Sequence, residues 1–392
     1  MRMQLIRPRT LFAACALAIA LAASPRLARA DGDGPWHLAF DTAVYTDTDN
    51  VIDVSPQLAV HRSIDDDGGE VRARATVDVV SAASVDVISQ ATVRFTEPRI
   101  EISLGASKAF GEWRPSLDYR LSTEPDYLSN GLRAGVQRRL GSPDSVLALG
   151  WGSTYDVIGR AGTPYANFSQ TLWSHGANVS LTQVLGENTL VRVVYSLTLQ
   201  QGYMEKVYRY VPLFDAAHLA SAGSTRIDLS NFDAYRLDER VPEAVPDTRV
   251  GHALAVRGLQ YLRWIDGSAR LDYQLYVDSW GVLAQIVEPA IAAGLGRDWT
   301  VTLYGRFYHQ LAASFWQRLY VVSGPGVAPR WRTLDRELSP YFTATGGVRI
   351  EWLNDPIGGY LEAAVSYTTY SDFMFLTDRT ALIGQLGVRW SP

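Results

Sequence analysis

The sequence predicts an all-β fold: a single antiparallel transmembrane β-barrel of about sixteen strands, with fourteen as the alternative. Three observations predict it. Hydrophobicity alternates with a period of two over segments of about ten residues, long for a soluble sheet and right for a membrane-crossing strand. The spacers between these segments alternate between short and long. The chain also opens with an export signal and is rich in aromatics, with 20 Tyr, 11 Trp and 12 Phe.

The first element is that signal. Arg2, Arg7 and Arg9 make a basic start, "LFAACALAIALAA" (11–23) an apolar run, and Ala28-Arg29-Ala30 a small-residue end. Basic, apolar and Ala-x-Ala in this order specify a secretory signal peptide over 1–30, cleaved after Ala30. The apolar run is too short to span a bilayer. Phe12-Ala13-Ala14-Cys15 is only loosely like a lipoprotein signal, and Cys15 lies too early in the run. The mature domain is then 31–392. It keeps no cysteine, so no disulfide supports an exported fold. Its formal charge is −10, with 31 basic against 41 acidic residues, which argues against a nucleic-acid partner.

The strands follow at 36–45, 51–62, 71–80, 99–109, 113–122, 131–140, 146–156, 172–184, 190–200, 248–262, 269–278, 282–293, 299–309, 339–352, 360–370 and 380–390. "LVRVVYSLTL" (190–199) is typical: Val191, Val193, Tyr195, Leu197 and Leu199 share one face, and Arg192, Ser196 and Thr198 take the other. The least regular is 282–293, because "EPAIAAGL" alternates poorly and Pro289 cannot donate to a ladder. Tight turns such as "FGE" (110–112), "GSPDS" (141–145), "LGENT" (185–189) and "NDPIGG" (354–359) mark the inner side. Loops 81–98, 157–171, 201–247 and 310–338 mark the outer side, with short exceptions at 46–50 and near Gly281. Trp36, Trp113, Trp151, Trp299, Trp352 and Trp390 fall near strand ends, where interfacial girdles belong. The last strand ends in Trp390, followed by Ser391-Pro392, and is similar to the terminal signal read by the barrel-assembly machinery. Outer-membrane lipid and that machinery are the expected partners.

Catalytic and cofactor chemistry find little support. The six histidines show no metal-ligand spacing, Ser174-His175 is a bare dipeptide, and no phosphate loop or dinucleotide fingerprint occurs. No catalytic or cofactor-binding residue is expected. "DDDGG" (65–69) reads as a polar inner turn rather than a calcium loop. The repeat in "TVDVVSAASVDVIS" (76–89) has more content. Read as a hairpin arm at the outer mouth, it sets Asp78 opposite Asp86 for one loop length and opposite Val87 for another. Facing carboxylates repel unless a cation or proton intervenes. Calcium there would need more oxygens, which Asp47 and Asp49 could supply; two solvated acids at a wet rim are the plainer reading.

The inward face is the informative one. Alternation assigns to it Arg72, Arg74, Arg114, Arg120, Arg133, Arg139, Arg192, Arg257, Arg270, Arg306, Arg349 and Arg389. It also assigns Asp41, Asp53, Asp78, Glu101, Asp118, Asp272, Asp278, Glu351 and Glu362, an excess of three positive charges. Arg72, Arg74, Arg114, Arg120, Arg133, Arg192, Arg270, Asp272, Arg306 and Arg349 are the pore-lining candidates. A wall so charged must be wet or internally paired.

Five stretches occur in order: "TVDVVSAASVDVIS", "GYMEKVYRYVP" (202–212), "PDTRVGHALAVRGLQYL" (246–262), "LDYQLYVDSWGV" (271–282) and "LDRELSPYF" (334–342). Together they resemble a bacterial outer-membrane barrel family catalogued as domain of unknown function 3570. The resemblance implies an envelope location in a Gram-negative bacterium and a barrel fold, and carries over no functional residues. The expected function is a passive pore for small polar solutes. The alternative is a non-conducting barrel that binds a partner through its outer loops or lumen, and a surface enzyme comes third.

Overall fold

A computed structural model of the chain describes residues 36–65, 68–82, 95–354 and 356–391. The signal segment and the second copy of the Val-Asp-Val repeat, Asp86 included, lie outside these residues. The strands in chain order are β1 (Trp36–Asp47), β2 (Val51–Ser63), β3 (Glu70–Ala82), β4 (Phe95–Ser107), β5 (Trp113–Glu124) and β6 (Tyr127–Leu140). Then come β7 (Ser142–Ile158), β8 (Gln170–Gly186), β9 (Thr189–Gly202), β10 (Tyr210–Asp215), β11 (Arg236–Pro242), β12 (Thr248–Leu262) and β13 (Gly267–Asp278). The chain ends with β14 (Leu283–Leu295), β15 (Trp299–Gln310), β16 (Tyr320–Val322), β17 (Tyr341–Asn354), β18 (Ile357–Tyr370) and β19 (Asp378–Trp390).

Sixteen of these form one closed antiparallel barrel in which each strand pairs with its neighbours in sequence, and β1 closes on β19. All sixteen expected strands are present, so the fourteen-strand alternative falls away. Closure leaves no unpaired edge, which a membrane-spanning sheet requires. Pro289 is accommodated on β14 because only one ladder is broken. Its pairing with β13 is continuous through Leu271, while the ladder to β15 skips from Val287–Phe307 to Ala290–Tyr304. Pro56 does the same on β2, where the ladder to β3 skips from Val54–Val79 to Gln57–Thr76. The 123–130 spacer contracts to a two-residue turn, Pro125–Asp126, because Glu124 already pairs with Tyr127.

Alternation separates the two barrel faces. Leu104, Leu117, Leu271, Leu303, Leu361 and Leu382 all point outward and are more than half exposed, the apolar belt that a membrane barrel turns to lipid. Inward tyrosines lie over glycines of the next strand. Tyr304 covers Gly347 and Tyr360 covers Gly387, each its direct cross-strand partner. A Cβ at either glycine would collide with the ring, so these glycines let the tyrosines lie flat along the wall.

The tightly packed apolar interior is not in the barrel. It lies in a cap built from the outer loops. β10 pairs with β11 and, in parallel, with β16, so the loop after β9 and the loop after β15 share one three-stranded sheet. Two short helices, α1 (Ala216–Ser221) and α2 (Phe232–Tyr235), complete it, and Asp215 caps α1 by accepting from the His218 N–H. Leu213 and Phe214 are wholly buried there, with Val211, Tyr320, Phe373 and Phe375 around them. A second cluster joins Val245, Trp280, Val282, Ala313 and Leu338 beside the first.

Candidate functional site

The cross-strand registers fix which side chains share the lumen. Arg74 pairs with Ala59 and Ser103, Asp118 with Gly105 and Arg133, Arg192 with Thr182 and Arg257, and Arg349 with Thr302 and Glu362. Carried around the barrel, this register places every pore-lining candidate on the inward face. The same register adds Arg99, Arg249 and Arg379 to the basic set and Asp47, Glu70, Glu124, Asp156 and Glu288 to the acidic set. With these eight residues included, the inward side chains described carry an excess of one positive charge rather than three.

Most of this charge is internally paired. Arg72 binds Asp118, Arg114 lies 3.5 Å from Glu70, and Arg120 lies 2.9 Å from Glu101. Arg270 and Arg257 share Asp272, at 3.1 and 2.5 Å. Arg306 pairs with Glu288 at 3.1 Å, and Arg349 with Glu351 at 2.9 Å and Glu362 at 3.5 Å. Arg74, Arg133, Arg139 and Arg192 have no ion-pair partner among the described residues. These pairs lie along the wall, within one strand, between adjacent strands or across an intervening one, so its charges are largely neutralised in place rather than summed into one strong field.

Of the four candidate metal ligands, Asp86 lies outside the described residues and the other three each lie beside an arginine. Asp78 pairs with Arg99 at 3.0 Å, Asp47 lies 3.8 Å from Arg379, and Asp49 pairs with Arg336. Asp47 also accepts the N–H groups of Asp49 and Val51 and the Tyr45 hydroxyl. Among the described residues no group of three or more His, Cys, Asp or Glu side chains could hold a metal ion.

The outer mouth is the feature that alternation could not reveal. Inside the cap, Arg209 stands between Glu243, at 3.3 Å, and Asp335, at 2.8 Å. Glu243 also accepts the Thr333 hydroxyl at 2.5 Å and the Lys206 N–H at 2.6 Å. Burial alone would raise the Asp335 carboxyl, but the Arg209 guanidinium, the Glu337 N–H and the Lys206 charge outweigh it and hold it low. Burial pushes the Tyr320 phenol up, so it stays an O–H donor toward the Phe315 and Thr333 carbonyls. The network ties the loop after β9 to the loop after β15.

The cap is also tied to the rim. Tyr208 donates to Asp126 in the β5–β6 turn and accepts the Ala161 N–H of the β7–β8 loop at 2.6 Å. Phe315 packs edge-on against Trp280 of the β13–β14 loop, with ring centroids 5.4 Å apart. Arg318 pairs with Asp372 of the β18–β19 loop at 3.3 Å, and Arg336 reaches Asp49 of the β1–β2 loop. The attachments therefore run from β5 round the barrel to β2. An aromatic series continues inward: Phe232, Phe375, Phe373, Tyr370, Tyr341 and Tyr308 each lie within 6.0 Å of the next, and the last three sit on the lumen wall.

The family model described as "Protein of unknown function (DUF3570)" matches residues 89–373. No curated protein is similar to the chain. Among solved structures, CdiB from Acinetobacter baumannii matches with a TM-score of 0.50 at 10% identity, over 91% of this chain and 60% of that one. This chain thus spans about three fifths of the CdiB chain. A bacterial polysaccharide outer membrane secretin matches with a TM-score of 0.49 at 8% identity, over 91% and 97% of the two chains. OmpT of Vibrio cholerae, as a loop L8 deletion mutant, matches with a TM-score of 0.44 at 9% identity, over 93% and 100%. Identities this low speak for the barrel fold alone.

Proposed function

The chain belongs to the family of proteins of unknown function DUF3570, and we propose that it is an outer-membrane channel for small polar solutes, narrowed on its outer side by the cap. The observation that carries this reading is the inward face. Its arginines and acids pair along the wall, and glycine, alanine and serine fill much of the space between them. Sixteen-stranded barrels enclose more space than their side chains fill and leave an aqueous channel. A wall of this polarity needs that water. The near-balance of lumen charge supports weak ion selectivity, in place of the mild anion preference that an excess of three would give. Delivery by the secretory signal and folding by the barrel-assembly machinery belong to the same proposal.

The cap supports a second reading, a non-conducting barrel whose outer surface binds a partner. Tyr208, Leu229, Val321 and Val327 of the cap are each more than 40% exposed, and apolar exposure of this kind serves contact with another protein. Conductance of the full-length refolded protein in a planar bilayer separates the two. The channel reading expects ion current in the parent and a larger one when Phe214→Ala and Phe373→Ala loosen the cap. Silence in both proteins would reject the channel and leave the partner-binding barrel.

A further inference from the structure

Four inward side chains lie side by side across adjacent strands. Arg192 on β9 faces Arg257 on β12, Arg257 faces Asp272 on β13, and Asp272 faces Glu288 on β14. Like charges directly opposite each other destabilise a sheet unless something neutralises them. The two acids are answered: Arg257 and Arg270 converge on Asp272, and Arg306 takes Glu288. Arg257 is answered by its 2.5 Å bond to Asp272. Of these four, Arg192 alone has no oppositely charged partner among the described residues, and it stands exposed to the lumen.

The wall beside Arg192 is recessed. The two inward positions of β12 just before Arg257 are Ala253 and Ala255, too small to fill the space between the arginines and β13. The result is a cavity of about 380 Å³, lined by Arg192, Ser196, Ala253, Ala255, Gln274 and the paired charges. That volume lies within the range of small-molecule sites.

We propose that this recess binds a small solute through a single carboxylate on Arg192. A guanidinium presents a planar fork that matches a carboxylate with two parallel hydrogen bonds. Ser196 and Gln274 supply neutral hydrogen-bonding groups for the rest of the solute. Asp272 and Glu288 are already neutralised by arginines, so Arg192 offers one uncompensated positive charge, which a single carboxylate matches. The inference names the substrate class for the channel proposed above and rests on that reading, but binding at the recess is measurable without conduction.

The test uses the full-length refolded protein and gluconate as the monocarboxylate probe. Gluconate should reduce chloride current through the parent, and Arg192→Gln should weaken that block about tenfold, roughly what loss of one charge-assisted pair implies. Arg74→Gln, which removes an unpaired inward arginine elsewhere on the wall, should leave the block within about twofold. Arg192→Lys keeps the charge without the fork and should fall between. Equal block of the parent and Arg192→Gln, or equal losses in the Arg192→Gln and Arg74→Gln proteins, would overturn the site. Inorganic phosphate blocking as well as gluconate would overturn the carboxylate assignment. If the parent passes no current, the channel reading fails by itself. Titration calorimetry of gluconate in detergent then decides the site: heat lost in Arg192→Gln sustains it, and heat absent from the parent removes it.

Discussion

Arg72 of β3 and Asp118 of β5 form a bidentate ion pair, both bonds 2.8 Å long, although β4 runs between them. They meet over Gly105, which faces Arg72 on one side and Asp118 on the other. A Cβ at position 105 would fall on the Asp118 carboxylate and crowd the Arg72 guanidinium. The glycine is thus the gap through which the pair closes. With both side chains about a third exposed, the pair itself contributes no more than about 1 kcal/mol. Its larger effect is to hold two charges flat against the wall.

Gly105→Leu should therefore push Arg72 and Asp118 apart and into the lumen. Overpacking of this kind costs about 1–3 kcal/mol. The thermal midpoint should fall by a few degrees and single-channel conductance should change, while Gly258→Ala, with open space around its added methyl, should do neither. Folded Gly105→Leu protein with parental conductance would mean that the pair does not shape the lumen.

Arg209 is the sharpest point of failure in the cap. It lies between Glu243 and Asp335, and Glu243 is almost wholly buried. Removing one partner of such a pair strands buried charge, at a cost of about 3–5 kcal/mol. Arg209→Met should leave the barrel intact, with the usual shift of gel mobility on heating, and make the 203–247 loop sensitive to protease. A cap as resistant as the parent's would show that the apolar core suffices without the charge network.

The strands were legible because a half-lipid, half-water environment writes period two directly into the sequence. Arg99, Glu70, Arg249 and Glu288 escaped the inward list for local reasons: they sit at strand ends or beside Pro98 and Pro289, where alternation is short or broken. The cap was not legible at all as structure. Its sheet joins segments more than a hundred residues apart, as in Leu213 with Tyr320, and its helices are only four and six residues long. The apolar run Val211-Pro212-Leu213-Phe214 and the cluster Phe373-Met374-Phe375 were the available signals, since exposed loops rarely carry such residues. Arg192 was legible as inward, but its lack of a partner was not, because pairing depends on register.

The Asp335 carboxyl gives the cap an acid limit. Its folded pKa lies below the ordinary value of 3.8, because Arg209, the Glu337 N–H and Lys206 overcome its burial. Its contribution is then complete above that value and is lost as pH falls through it toward the lower folded pKa. Protease resistance of the cap should stay constant from about pH 8 to 5 and decline below about pH 4. Asp335→Asn should weaken the cap at every pH and flatten this step. A decline already present near pH 6 would point to a different titrating group.

Calcium tests the paired-acid reading of the Val-Asp-Val repeat. A shared cation among Asp78, Asp86, Asp47 and Asp49 would need their oxygens free, since calcium takes six to eight oxygen ligands. Arg99 lies 3.0 Å from Asp78, Arg336 holds the buried Asp49, and Asp47 has both oxygens engaged by its own loop and Tyr45. Binding would have to displace these partners before it gained anything. Millimolar calcium should therefore leave the thermal midpoint of the refolded protein within about a degree, and Asp86→Asn should not alter that response. Arg99→Gln removes the neutralising partner of Asp78 and leaves two acids, Asp78 and Glu101, less compensated on one strand pair. Calcium should stabilise that variant more than the parent. A rise of several degrees in the parent, abolished by Asp86→Asn, would restore the cation site and require the arginine pairs to open around it.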